Sequence, residues 1–407
     1  MGVWHRPAPP LLVGRRAPMR ARRFRAVADL FPDPAPPVPA SDAERRALVA
    51  LSLVPGVGAG RARALVAAFG TAERVLAAPP GRLVRVDGVG RATAEAIRAG
   101  ADERRVDDQF ERAERVGARL VTFGDDAYPA RLKEIYDPPP FLWVLGRLDA
   151  LDDRAVAVVG TRKASDYGRR AAEAFGRGLA DGGATVVSGL AYGIDIAAHR
   201  AALAAGGRTV AVLGSGVDHV YPSRHAPTVR EIVERDLGAV VSELPMGAKP
   251  DAPHFPRRNR IVSGMSVAVL VAEARATGGA LLTAAIALEQ NRDVFAAPAP
   301  MFSDYVGTNR LVQKGWAALA LDVSDVLDAV DPVAPAASAA PPEPAAPPAD
   351  LTAIERRLID ALGPEPRPLD AVCDASGVDT SQALVYLLQL EFRGLVRQLA
   401  GKQFYRA

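Results

Sequence analysis

Arg162 and Lys163 stand directly behind a glycine at the end of a short apolar run, in AVAVVGTRKASDYG at 155–168. A strand that runs into a glycine turn begins a nucleotide-binding crevice, because backbone N–H groups can meet a phosphate where no side chain intervenes. Gly160 and Thr161 form that turn, and the two cations behind it suit a polyanion. Further along, HFPRRNR at 254–260 gathers an aromatic face for an unstacked base in Phe255, guanidinium forks for phosphates in Arg258 and Arg260, and a base-edge amide in Asn259. Three more turns add glycines and hydroxyls: Ser188 and Gly189 in SGLAYG, Gly214, Ser215 and Gly216 in GSGVDHVYP, and Thr277 and Gly278 in ATGGALLT. Few acids accompany them.

Other chemistries find no support in these residues. A dinucleotide site needs G-x-G-x-x-G after the first strand and an acid at the end of the next, whereas here the glycines are Gly160 and Gly168 and the next strand ends in Ser188. No G-x-x-x-x-G-K-[ST] run occurs for a nucleoside triphosphate, and no histidine and carboxylate spacing suggests a metal. His199 lies four residues after Asp195 in IDIAAHRAAL, which predicts a local pair on one helix face. Asp195 or Glu243 could act as a general base, but the sequence supplies no partner for either. The expectation is a binding protein without catalytic residues, cofactor or metal. Its ligand is a polynucleotide, single-stranded because a crevice at a sheet edge is too narrow for a duplex.

The elements that must position these turns are short Val- and Ala-rich runs, apolar on both faces, alternating from residue 118 onward with amphipathic stretches such as YGRRAAEAFGRGLADGG. That alternation predicts an α/β fold with a doubly wound, mostly parallel Rossmann-like sheet, its ligands beyond the carboxyl ends of the strands. Proline runs at 31–40 and 331–349 divide the chain. The expected organisation is a basic, proline-rich disordered tail over 1–40, a helical domain over 41–115, the Rossmann-like domain over 116–330, a Pro/Ala linker over 331–349 and a winged helix-turn-helix over 350–407.

In the helical domain, PGVGAGRARALVAAFG and VDGVGRATAEAIRAG repeat a helix-hairpin-helix pattern. Its glycine turns could hold a DNA backbone with Arg61, Arg63 and Arg91, or the pair could simply be a compact cap. In the last module Asp379 is expected to cap a recognition helix that begins Thr380, Ser381 and Gln382, before a hairpin turning at Ala400 and Gly401. With no cation before Arg393, that helix suits protein contact, or weak phosphate contact through Arg397, Lys402 and Arg406, better than groove reading.

Composition is that of a globular protein: 407 residues, 49% hydrophobic, 24% charged, net charge +3. The single Cys373 excludes an internal disulfide, is expected in a core, and points to a reducing cytoplasm. No apolar run is long enough for a membrane span. The first residues, broken by prolines, make a poor signal peptide and read as a disordered tail, an over-extended start before Met19, or a basic arm toward nucleic acid.

AVAVVGTRKASDYG, VVSGLAYGIDIAAHRAAL, TVAVLGSGVDHVYP, SELPMG, FPRRNRIVSGMS and GTNRLVQKG, in this order, resemble the DNA-processing protein A (DprA/Smf) family over about residues 120–320. The resemblance implies a cytoplasmic, non-enzymatic single-stranded DNA-binding protein of natural transformation and homologous recombination. Such a protein protects incoming strands, displaces or coexists with single-strand-binding protein, loads a RecA-type recombinase and forms a homodimer through its Rossmann-like domain. It makes Arg162 the main phosphate-binding residue, supported by Lys163, Ser188 and Gly189, with Gly214, Ser215 and Gly216 as a second backbone nest and Phe255, Arg258, Asn259 and Arg260 as a stacking and basic wall. The chain departs from the family at Ala299, where a glycine is usual, and at Ser223 and Ala252, where a cation is common and Arg224 or Lys249 would compensate. Two other readings compete. A nucleotide N-glycoside hydrolase of the lysine-decarboxylase-like Rossmann group would need a glutamate where TGGALLTAA has Ala285. A metabolite-sensing transcription regulator would need a cationic recognition helix.

Overall fold

The computed structural model describes residues 40–330, 351–363, 366–393, 395–399 and 403–406. The chain divides into two compact units, Met1–Pro332 and Val333–Ala407. The expected tail lies outside the described residues except for Ala40, and the linker lies outside them altogether.

The first unit is built on one nine-stranded sheet. Its strands are β1 (Ala118–Thr122), β2 (Phe141–Gly146), β3 (Ala155–Gly160), β4 (Thr185–Ser188), β5 (Thr209–Val212), β6 (Gly238–Ser242), β7 (Ala268–Glu273), β8 (Asp293–Ala296) and β9 (Ala318–Leu319). Their spatial order is β1-β2-β6-β5-β4-β3-β7-β8-β9. Every pair from β6 through β9 is parallel, whereas β1–β2 and β2–β6 are antiparallel. The chain winds outward from β3 to β6, then returns beside β3 as β7 and winds the other way. The topological switch point lies there, and a ligand crevice belongs outside the carboxyl ends of β3, β4 and β7.

Strand β3 shows why its residues must be apolar on both sides. Ala155, Ala157 and Val159 join the core beneath the helices His254–Gly264 and Gly279–Glu289, while Val156 and Val158 face Asp166–Asp181 and Ile194–Ala204. The strand missing from the sequence reading is β2. Pro138, Pro139 and Pro140 precede it and read as loop, yet Phe141, Leu142, Trp143 and Val144 are buried and bridge the two antiparallel pairs.

Helices Asp42–Ser52, Ala59–Phe69, Ala72–Ala77, Pro80–Leu83, Arg91–Ala99 and Glu103–Val116 form the helical cap, whose core of Leu51, Leu65, Leu83 and Ile97 continues into Phe141, Trp143 and Met246 of the sheet domain. The buried Gln109 amide fastens this seam, accepting from Met246 N at 2.7 Å and donating to Met246 O at 3.4 Å. The two hairpins are alike in detail: Gly56 and Gly88 have φ of +83° and +75°, and Gly58 and Gly90 precede the following helices. Left-handed backbone at those turns is why glycine stands there.

The second unit packs helices Ala353–Ala361, Leu369–Ser376 and Thr380–Phe392 against a three-stranded sheet. Thr352 and Glu355 form a capping box, and Asp379 accepts from Ser381 N at 3.0 Å and Gln382 N at 3.2 Å. This is a winged helix; the expected turn at Ala400 and Gly401, and Lys402, lie outside the described residues.

Candidate nucleic-acid interface

A cleft of about 760 Å³ opens at the switch point. After β3 it takes Gly160, Thr161 and Arg162, after β4 Gly189, and after β7 Thr277 and Gly278; the helix His254–Gly264 contributes Phe255, Arg258 and Asn259. The structure thus brings these predicted residues into one place. Three more come with them: Tyr221, Arg275 and Asp195.

The mouth is cationic and aromatic. The Arg162 guanidinium lies 4.8 Å from the Phe255 ring centroid, and Tyr221 stands 6.0 Å from the same ring. Among the described residues Arg162 has no carboxylate partner, and the Asn259 side chain forms no hydrogen bond, so both are free for a ligand. Gly278 precedes the helix Gly279–Glu289, whose first N–H groups and positive dipole end add to the field.

Beneath the mouth lies a buried charge pair. Arg258 donates to the Val212 carbonyl and faces Asp195, whose carboxylate accepts from Gly189 N at 3.2 Å and Ala191 N at 3.3 Å. Burial lowers the Arg258 pKa to about 10, with Asp195 opposing the shift and Arg162 adding to it, so the guanidinium remains charged at neutral pH. Burial raises the Asp195 carboxyl above its ordinary value, against the pull of Arg258 and the two backbone donors. Gly189 is required here, because a Cβ on it would lie 2.0 Å from Arg258 Nη1.

The turns themselves are held from within. Thr161 N donates to the Glu273 carbonyl at 2.8 Å, and the Glu273 carboxylate accepts from Ser165 N at 2.9 Å and from the Ser165 hydroxyl. With the N–H groups of Thr161, Gly189 and Ala191 all engaged, the expected backbone nest at these turns is already filled. The charge that the cleft presents is carried instead by side chains and by the Gly279–Glu289 helix start.

Six predicted residues sit elsewhere. Ser188 is buried and its hydroxyl donates to the Val158 carbonyl at 2.6 Å, a link between neighbouring strands. Gly214 packs under Phe255, and the Ser215 hydroxyl donates to the His219 carbonyl at 2.7 Å. Gly216 N donates to Ala248 O at 2.9 Å, and Gly214, Ser215 and Gly216 are not among the residues that line the cleft. Arg260 is buried on another side of its helix, paired with Glu243 at 2.5 Å and Asp137 at 3.1 Å. Its charge is neutralised internally, which removes it from the wall that its neighbours form. Lys163 is exposed and lines a neighbouring groove, not the cleft.

The predicted Asp195–His199 pair is also absent. Asp195 turns to the loop N–H groups, and His199 Nδ1 lies 2.6 Å from the Thr209 hydroxyl oxygen. Arg61, Arg63 and Arg91 are exposed on the helical cap, outside the cleft. Arg61 donates to the Gly56 carbonyl at 2.5 Å and Arg63 to the Tyr136 carbonyl. Of the departures, Ser223 is exposed, Ala252 lines the cleft, Arg224 lies over Tyr192 at 5.4 Å, and Ala299 is clamped at both backbone groups by the Asn309 amide at 2.9 and 2.8 Å. Cys373 is half-buried beside the winged-helix core. Among the described residues no helix is long and apolar enough to cross a membrane.

Tyr221 was present in the quoted GSGVDHVYP run and Arg275 directly precedes ATGG, so both lay beside positions already singled out. What would have found them is the switch-point rule applied to every residue after β5 and β7.

Comparison with known proteins agrees with this geometry. Residues 119–331 match the family described as DNA recombination-mediator protein A, 341–402 the DprA winged helix domain and 49–103 a SAM-like helix-hairpin-helix tandem. Protein Smf of Synechocystis sp. is 33% identical over 398 residues, covering 90% of this chain and 100% of that protein. Protein Smf of Escherichia coli is 38% identical over 285 residues, 69% of this chain and 76% of that one. The X-ray structure of DNA processing protein A (DprA) from Streptococcus pneumoniae superimposes with a TM-score of 0.59 at 35% identity, covering 69% of this chain and 95% of its own. A family match across more than half the chain, with relatives covered over most of their length, places this chain in the DprA/Smf family of DNA-processing proteins.

Proposed function

We propose that the protein is a single-stranded DNA-binding recombination mediator, and that the cleft at the β3–β4–β7 switch point holds the strand. The observation that carries this reading is the unpaired Arg162 guanidinium stacked 4.8 Å from Phe255 at the mouth of the cleft. A planar cation on an aromatic ring offers a stacking face for a base and N–H groups for the adjoining phosphate. Arg275 and the Gly279–Glu289 helix start serve further phosphates, Thr277 and Asn259 offer polar contacts, and Arg258 supplies fixed positive charge from below. Each stacked base contributes about 1–3 kcal/mol, which a duplex with its bases paired and stacked inside does not offer.

In this reading Arg61, Arg63 and Arg91 on the hairpins give a secondary contact with the DNA backbone. The family relation supports the wider role: protection of strands entering by natural transformation, loading of a RecA-type recombinase, exchange with single-strand-binding protein, homodimerisation, and a cytoplasmic location without catalysis. The hydrolase reading gains nothing, because Ala285 stands where its carboxylate is needed.

The test is fluorescence anisotropy of a labelled oligo-dT across a salt series, with wild type, Arg162→Ala and a matched duplex. Wild type is expected to prefer the single strand, and Arg162→Ala to lower the log–log salt slope by about 0.7, the share of one phosphate on a single strand. Equal binding of duplex, or a substitution without effect on affinity and slope, would overturn the proposal.

A further inference from the structure

Arg162 borders two spaces. On its other side lies a groove of about 1040 Å³ between the helices Asp166–Asp181 and Ile194–Ala204, and Arg162 lines both this groove and the cleft. Lys163, which the cleft leaves out, points here.

The groove is cationic by construction. Arg170 and Arg177 lie seven residues apart on one stripe of the first helix, about 10 Å along its axis, and Arg200, whose Nε donates to the Thr228 hydroxyl at 3.4 Å, lines the groove from the second. Arg170 and Arg177 are exposed and have no carboxylate partner among the described residues, in contrast to Arg169, which Asp166 holds. Glu173 is the one acid among the described residues that line the groove.

The floor tells which part of a ligand would lie there. It is made of Gly193, Ala197, Ala201 and Ala204, which carry no side-chain hydrogen-bonding group for a base edge. The one aromatic side chain among the lining residues, Tyr192, already has Arg224 over its ring at 5.4 Å and the His225 ring at 5.2 Å. Such a groove reads charge and ignores bases, unlike the cleft with its Phe255, Tyr221 and Asn259.

We infer that the groove carries the sugar-phosphate backbone of the strand beyond the cleft, with Arg162 as the hinge between a base-reading segment and a charge-reading one. The inference rests on the proposed function of the cleft and adds the length and direction of the bound strand. The interval from Arg170 to Arg177 matches about three nucleotides of a stacked strand at about 3.4 Å each. The footprint is therefore longer than the cleft alone, and its extension is indifferent to sequence.

The experiment compares wild type, Arg162→Ala and the double variant Arg170→Ala/Arg177→Ala in binding oligo-dT of about six nucleotides, near the short end of single-strand site sizes, and of about twenty, beyond their long end of about 16. The double variant is expected to bind the short strand as wild type does. It should bind the long one more weakly, with the salt slope lowered by about 1.4 for two phosphates. Arg162→Ala should weaken both. Unchanged binding of both lengths by the double variant overturns the inference, as does equal weakening of both, which would place the two arginines in the cleft's own contacts. Binding of an oligo-glutamate that the double variant loses, with both strands unaffected, would assign the groove to an acidic peptide and overturn it too. Failure of wild type to bind either strand refutes the reading of the cleft itself, a result visible without any variant.

Discussion

The buried His199 ring makes the first unit acid-sensitive by an amount that can be worked out from its contacts. The Thr209 hydroxyl donates to the Val186 carbonyl at 2.7 Å, so its oxygen must accept from His199, which fixes the neutral ring with its proton on Nδ1. Nε2 is then an unprotonated nitrogen, fully buried and without a protein partner among the described residues, and a second proton there would meet no side-chain or backbone acceptor. Burial, assisted by the charge of Arg258 and by His225, lowers the pKa from 6.5 to about 3. Above pH 6.5 the ring is neutral folded or unfolded and adds no pH dependence. As pH falls below that value the unfolded chain takes up a proton that the folded chain refuses, and stability is lost until about pH 3. At about 1.4 kcal/mol for each pH unit, the whole difference is worth about 5 kcal/mol. The assay is urea unfolding between about pH 7.5 and pH 5 for wild type and His199→Asn, whose amide keeps a donor toward Thr209. The second unit contains none of the three tryptophans, and Trp143, buried in β2, reports the unfolding of the first unit by intrinsic fluorescence. Asp195 and His225 titrate in both proteins, and the difference between the curves isolates His199. Wild type should lose about 2 kcal/mol more than the variant between pH 6.5 and pH 5; parallel curves would refute the argument.

Three further outcomes follow from the site. Phe255→Ala should weaken oligo-dT by about 1–3 kcal/mol, roughly 5- to 150-fold, while leaving the salt slope of wild type, because it removes a stacking face and no charge; a changed slope in anisotropy titrations would contradict that role. Arg260→Ala should destabilise the first unit by about 3–5 kcal/mol by stranding the buried Glu243, yet the folded variant should bind the strand with wild-type affinity, read from paired urea and anisotropy measurements. Gly189→Ala should cost both properties, about 1–3 kcal/mol of stability and a measurable part of the affinity, since its methyl would displace the Arg258 guanidinium; wild-type binding by this variant would show that Arg258 does not shape the cleft.

The sheet was legible because its strands are apolar on both faces, a pattern that only a layer covered on each side demands. Strand β2 was hidden by the three prolines before it and by its antiparallel pairing, which breaks the alternation of strand and helix. The arginines of HFPRRNR were legible as charge and illegible as geometry. Read as a flat run, Arg258 and Arg260 look equivalent; on the helix His254–Gly264 the helical spacing sets Phe255, Arg258, Asn259 and Val262 toward the cleft and turns Arg257 and Arg260 toward Tyr136 and Asp137. The signal lies in the sequence at the i, i+3, i+4 and i+7 spacing of those four residues. The occupied N–H groups of Thr161 and Gly189 could not be foreseen, because their acceptors, the Glu273 carbonyl and the Asp195 carboxylate, are supplied by the next strand in space or by a helix turned back on its loop.

That last difference changes what kind of ligand the crevice favours. A nest of free backbone N–H groups fits one phosphate closely and can hold a mononucleotide by geometry alone. Here the turn amides are spent on holding their own loops rigid, and the unpaired charge is carried on long side chains at the rim, Arg162 and Arg275, above a buried guanidinium that cannot move toward a ligand. Each such contact is modest and screened by salt, so one phosphate gains little, whereas a polymer that engages several at once adds them and releases counterions at each. Cations spread along a path are thus the physical basis of the proposal that the cleft holds a strand and not a single nucleotide. In the proposed path Arg162, which forms no salt bridge among the described residues and lines both spaces, is the residue on which the two segments would depend together.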